Sequence, residues 1–208
     1  MKKSIWILLA LLELNASACI KRLHKASTQQ HTLSMQNRID NLKRYYLQST
    51  INTRDIEARS FFFDNFPNSF SQLDSIYGYV NDKPAPLYFG YHNHIANLFN
   101  KLDEVIDVEK YYSKLINIAI NGHWEADAIS DFQRGLREKI INNPELAFSL
   151  LEFKNDSEIE SFWIFFFDGP HPKKMIPEQL QYFSEKDKRI YSLLEKALDK
   201  VCKSWEKE

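Results

Sequence analysis

From about residue 36 onward, apolar positions recur along this chain at three- and four-residue intervals. The clearest stripe lies in the last segment, where Ile190, Leu193, Leu194, Ala197, Leu198, Val201 and Trp205 share one helical face. Charges of both signs occupy the opposite face, so this helix is expected to pack on the domain rather than on a membrane. Ser184 followed by Asp187 offers an N-cap, and Lys200, Lys203 and Lys207 suit the negative end of the helix dipole. Cys202, at the edge of the stripe, reads as an inert structural thiol rather than a nucleophile.

The same punctuation divides the rest of the chain. Ser69 with Gln72 and Ser157 with Glu160 are spaced as capping boxes, and Asn143-Pro144 supplies an N-cap with proline at the first helical position. Gly122 closes the segment 107–121, and Gly169, followed by Pro170 and Pro172, closes 157–168. Phe162-Trp163-Ile164-Phe165-Phe166-Phe167 is apolar all round, which periodicity alone leaves open between a buried strand and an enclosed helix. The flanking cap and stop signals select the helix. Helices are therefore expected near 54–65, 69–78, 92–104, 107–121, 124–141, 144–153, 157–168 and 185–206. Their short connections predict an all-α single domain of antiparallel hairpins, compact or solenoid-like.

The N-terminus follows a different pattern. Lys2 and Lys3 precede an apolar run from Ile5 to Leu12, which Glu13 separates from Leu14, and then comes Ala16-Ser17-Ala18-Cys19. The run is too short for a permanent span, and its basic start and small-residue end are those of an export signal over residues 1–18. Ala16-Ser17-Ala18-Cys19 resembles the lipobox of bacterial lipoproteins. The resemblance implies that the Cys19 thiol accepts diacylglycerol and becomes the first mature residue. Ala16-x-Ala18 also suits ordinary signal peptidase, which would give the same first residue without lipid. In lipoproteins the next residue influences sorting, and Ile20 is not the aspartate of inner-membrane retention, which favours the periplasmic face of the outer membrane. Residues 19–35 are polar and aperiodic and read as a tether, leaving 36–208 as the helical domain.

Composition narrows the function classes. A chain of 208 residues with 44% apolar and 14% aromatic residues buries a substantial core. With 27 basic against 28 acidic residues there is no positive field to gather nucleic acid. Cys19 and Cys202 are the only cysteines, so acylation of Cys19 leaves no disulfide framework. No nucleophile elbow, phosphate loop, dinucleotide fingerprint or His-Glu-x-x-His pair occurs, so neither a catalytic set nor a cofactor is expected.

Two loops stand out: Gly78 to Tyr91, and Asp168 to Pro172. Pro84 and Pro86 restrict the first to an extended form that would present Tyr88, Phe89 and Tyr91 as a recognition surface, or pack them into the core. His92, His94, Asp168 and His171 are the one dense group of possible metal ligands, although His92 and His94 fall on different sides of a helix. His123, Trp124, Glu125 and Asp127 read as an ordinary acidic helix start. Length, anchor and helical architecture are loosely similar to lipoproteins that serve as immunity proteins against toxins from neighbouring bacteria. That resemblance implies a noncatalytic, periplasm-facing protein that binds another protein. A metal-assisted envelope hydrolase and a structural envelope lipoprotein are the alternatives.

Overall fold

A computed structural model describes residues 34–80, 83–100, 102–170 and 174–206. The export segment, Cys19, the tether up to residue 33 and His171 lie outside the described residues. The chain divides into two compact units, Met1–Asn41 and Leu42–Glu208. Of the first, residues 34–41 are described and are helical, the opening of a helix α1 over 34–51.

The second unit is all-α. After α1 come α2 (Ile56–Asn65), α3 (Phe70–Tyr77), α4 (Tyr91–Phe99), α5 (Val108–Ala119), α6 (Ala128–Asn142), α7 (Pro144–Leu151), α8 (Asp156–Phe167), α9 (Glu178–Gln181), α10 (Phe183–Lys186) and α11 (Lys188–Trp205). Strand pairing among the described residues is confined to a two-residue antiparallel ladder, β1 (Tyr79–Val80) with β2 (Lys83–Pro84). Among the described residues no helix is long and apolar enough to cross a membrane.

The apolar run of residues 162–167 is helical and belongs to α8, in which Ile159, Phe162, Trp163, Phe165, Phe166 and Phe167 are all buried. Alpha-helical geometry lets aromatic residues all around the axis meet different neighbours. Here α11 lies along one side of α8, and α5 and α6 lie against others. The stripe on α11 buries Ile190, Leu194, Ala197 and Val201. Outside this seam, Glu160 accepts hydrogen bonds from Lys196 (2.7 Å) and Lys200. Those two bonds hold its carboxyl below the usual carboxylate range.

Local signals place most helix starts, and two caps shift. Asn143 caps α7 by accepting from the Leu146 N–H, with Pro144 in the first turn. The box expected at Ser157 and Glu160 sits two residues earlier, where Asn155 and Glu158 exchange both bonds. Asp187, rather than Ser184, caps α11, and Ser184 lies inside α10. Ser69 caps α3, but the reciprocal Gln72 carbonyl accepts from the Asn68 N–H rather than from the cap's own. At the end of α5 the positive φ belongs to Asn121 (60°) rather than to Gly122. Gly122 is instead a close-approach position, where a Cβ would come within 2.8 Å of Phe165 and 2.9 Å of Phe70.

The end of α8 is closed by long-range donors. The last turn carries no basic residue of its own. Two side chains of α6 replace it: Gln133 donates to the carbonyls of Phe165 and Asp168, and Arg137 to those of Phe166 (2.5 Å) and Asp168 (2.6 Å). Carbonyls left orphaned by the helix end are thereby satisfied in a largely part-buried setting. Gly169 follows at φ 149°, which an L side chain rarely adopts, and Pro170 prevents continuation.

Candidate functional site

The described residues between Gly78 and Tyr91, 78–80 and 83–91, are built as a locked arch. The β1–β2 ladder pairs Tyr79 with Pro84 and Val80 with Lys83. Ala85 N–H then donates to Gly78 C=O (3.0 Å) and Leu87 N–H to Ile76 C=O (2.9 Å), tying the returning strand to α3. A 3-10 turn over Tyr88–Gly90 leads into α4. Pro84 and Pro86 have fixed φ, so little backbone freedom is left to lose when a ligand binds.

The arch sorts its apolar side chains by depth. Leu87 is 5% exposed and acts as the anchor. Tyr88 is half-buried, and its hydroxyl donates to the Asp127 carboxylate. Phe89 is 88% exposed and Tyr79 52%. The rings form a continuous series, with Tyr79 to Tyr88 centroids 5.5 Å apart and Tyr88 to Phe89 5.3 Å apart. Tyr91 begins α4, and its side chain lies outside what the structure describes. Phe153 and Met175 are also strongly exposed, and isolated surface apolar groups of that kind are ordinary. What sets Phe89 apart is a contiguous aromatic neighbour on a hydrogen-bonded backbone.

Asp127 shows how the arch is held. It stands at the N-cap of α6 with φ 59° and ψ −119°, yet makes no side-chain cap bond. Its carboxylate serves the Tyr88 hydroxyl instead. The expected acidic first turn thus starts later than the 124–127 segment, because α6 opens at Ala128. Asp131, in that first turn, accepts from Arg134 (2.6 Å) and pairs with His92 Nδ1 (2.8 Å). His123 pairs with Glu125 (2.8 Å) and packs at a tilt against the Phe70 ring. The α6 end therefore fastens both the arch and the start of α4, a role that acids at this spacing do not announce.

The described metal-ligand candidates go to separate partners. His92 is a surface group paired with Asp131. His94 is 6% exposed among Tyr46, Phe62 and Tyr77, with Nδ1 2.9 Å from the Tyr77 hydroxyl. Asp168 accepts from the Trp124 N–H (2.8 Å), the Trp205 indole (3.1 Å) and the Gly169 N–H (2.9 Å). Among the described residues no three potential ligands are grouped to hold a metal.

His94 gives a pH-dependent stability. Burial, reinforced by the positive charge of Lys43, lowers its pKa from 6.5 to about 4. Tyr77 keeps its proton because burial pushes its pKa up, and its hydroxyl shares a hydrogen bond with Nδ1 of the neutral imidazole. The unfolded chain binds the proton from about pH 6.5 downward, whereas the folded chain resists it until about pH 4. Stability from this group is full above pH 6.5 and falls by on the order of 3 kcal/mol as pH drops to about 4. Denaturant titrations at pH 7.5 and 4.5 should show that loss in the parent protein and a smaller one in His94→Gln. Equal losses would remove His94 from the account.

Comparison with family models, curated proteins and solved structures gives no match for this chain.

Proposed function

We propose that this protein is a noncatalytic lipoprotein of the bacterial cell envelope that binds another protein through the aromatic arch. Acylated Cys19 tethers it to the outer membrane, and residues 20–33 hold the helical unit off the bilayer on the periplasmic side. Its task in this reading is immunity, the neutralisation of a toxin delivered by a neighbouring bacterium. The carrying observation is Phe89, 88% exposed on a backbone fixed by hydrogen bonds, at the end of a ring series that runs through half-buried Tyr88 to exposed Tyr79. Covering one phenylalanine removes on the order of 150 Å² of apolar surface from water, about 4 kcal/mol before the cost of association. Aromatic residues, phenylalanine included, are enriched at protein interfaces relative to the rest of the surface.

Replacing Phe89 with a photocrosslinking amino acid in living cells tests the reading. A discrete crosslinked protein, identified by mass spectrometry as a toxin domain, is the expected product. An envelope-assembly or carrier protein would move the assignment to a structural role. No product at position 89 would reject the arch as the contact surface.

A further inference from the structure

We propose a second site that is independent of the aromatic arch: the corner between α6 and the end of α8 binds a small organic carboxylate with an apolar body. A cavity of about 450 Å³ opens there. That lies within the size range of small-molecule sites. Trp124, Ile141, Phe166, Met175 and Pro177 give it apolar walls drawn from separate segments of the chain. Arg134 and Arg137 add two guanidinium groups one helical turn apart on α6. Such a lining, mostly apolar with a few fixed polar groups, suits an amphiphilic ligand better than a highly hydrated multiply charged one.

The sign of the ligand follows from how the charged groups are spent. Asp168 also lines the cavity, but its two oxygens already accept from three protein N–H groups. Arg137 uses Nε and one terminal nitrogen on the carbonyls that end α8, which fixes the guanidinium plane. Its other terminal nitrogen has no protein hydrogen-bond partner among the described residues. Burial disfavours this charge by more than the nearby Asp168 carboxylate favours it. A carboxylate beside it would relieve that penalty with a charge-assisted hydrogen bond. Arg134, 70% exposed and paired with Asp131, stands at the same cavity as a second, more solvated cation. The fixed guanidinium reads the carboxylate, and Trp124 with Phe166 and Met175 receive the apolar body.

The test uses the full-length protein in nonionic detergent with two probes of one shape, 2-naphthylacetate and its neutral amide. Tryptophan fluorescence should change saturably with the acid, half-maximally between about 10 μM and 1 mM. The amide should bind at least about tenfold more weakly, because it loses the charge-assisted pair. At ten times its dissociation constant the acid should raise the melting temperature by roughly 3 to 6 °C. Ile141→Trp fills the cavity from a half-buried position and should abolish the response while leaving the parent fold. No saturable response to the acid, equal affinity for acid and amide, or unchanged binding in a folded Ile141→Trp protein would each overturn the proposal. Should Ile141→Trp fail to fold, the acid and amide comparison in the parent protein decides alone.

Discussion

Trp163→Ala is expected to cost about 3 to 5 kcal/mol of stability and to lower the melting temperature by roughly 6 to 20 °C. Trp163 is fully buried in α8, with ring contacts to Phe148, Phe162, Phe166 and Phe167 at 4.8 to 6.3 Å. Truncation removes the transfer energy of the indole and leaves a cavity that four surrounding aromatic rings cannot easily collapse. Natural domains have only about 5 to 15 kcal/mol to lose. Two substitutions isolate the cause. The Trp163 indole N–H lacks a hydrogen-bond partner among the described residues, so Trp163→Phe removes a buried orphan donor while keeping a ring, and its cost should stay below about 2 kcal/mol. Phe153→Ala, at a position 86% exposed, should change stability by no more than about 0.5 kcal/mol. Thermal unfolding of the three variants side by side is the check. Similar losses for Trp163→Ala and Phe153→Ala would mean that α8 is not the central helix.

Cys19→Ser should abolish lipid attachment. A serine hydroxyl cannot replace the thiol in diacylglyceryl transfer, so the chain would accumulate as uncleaved or slowly processed precursor. Labelled palmitate incorporation in cells measures this directly. Label on the Cys19→Ser protein would place the anchor elsewhere. Secretion at an unchanged rate with correct cleavage would favour the ordinary signal-peptidase reading of Ala16-x-Ala18.

Sequence signals were legible where structure is decided within a few residues. Asn143-Pro144 opens α7 and the α11 stripe faces inward, because caps and periodicity act over one or two turns. The same local rules placed the opening of α8 two residues late. Asn155 with Glu158 and Ser157 with Glu160 are both acceptable boxes, and the register was settled by partners far along the chain: Glu160 is held by Lys196 and Lys200. Nothing near Gln133 or Arg137 foretells that they would close α8, since that bond set joins positions about thirty residues apart. The aromatic arch shows the same division. Its turn residues and prolines marked it as a rigid loop, but Leu87, Tyr88 and Phe89 are equally apolar on paper and reach three different depths. Their depths follow from the bond of Leu87 to α3 and the pairing of Tyr88 with Asp127, neither visible as spacing. For His92 and His94, residues two apart on a helix faced different ways, as the helical period requires, and each met a different partner.

Phe89→Ala, measured for both melting temperature and affinity for the protein crosslinked at position 89, tests the central assignment most directly. Ile51→Ala, at another exposed apolar position, is the control. The account predicts a melting temperature within about 2 °C of the parent and an affinity reduced at least about 30-fold for Phe89→Ala, with both quantities unchanged for Ile51→Ala. Undiminished affinity in Phe89→Ala, or a fall in melting temperature beyond about 10 °C, would contradict it: the first outcome would remove Phe89 from the interface, and the second would return it to the core.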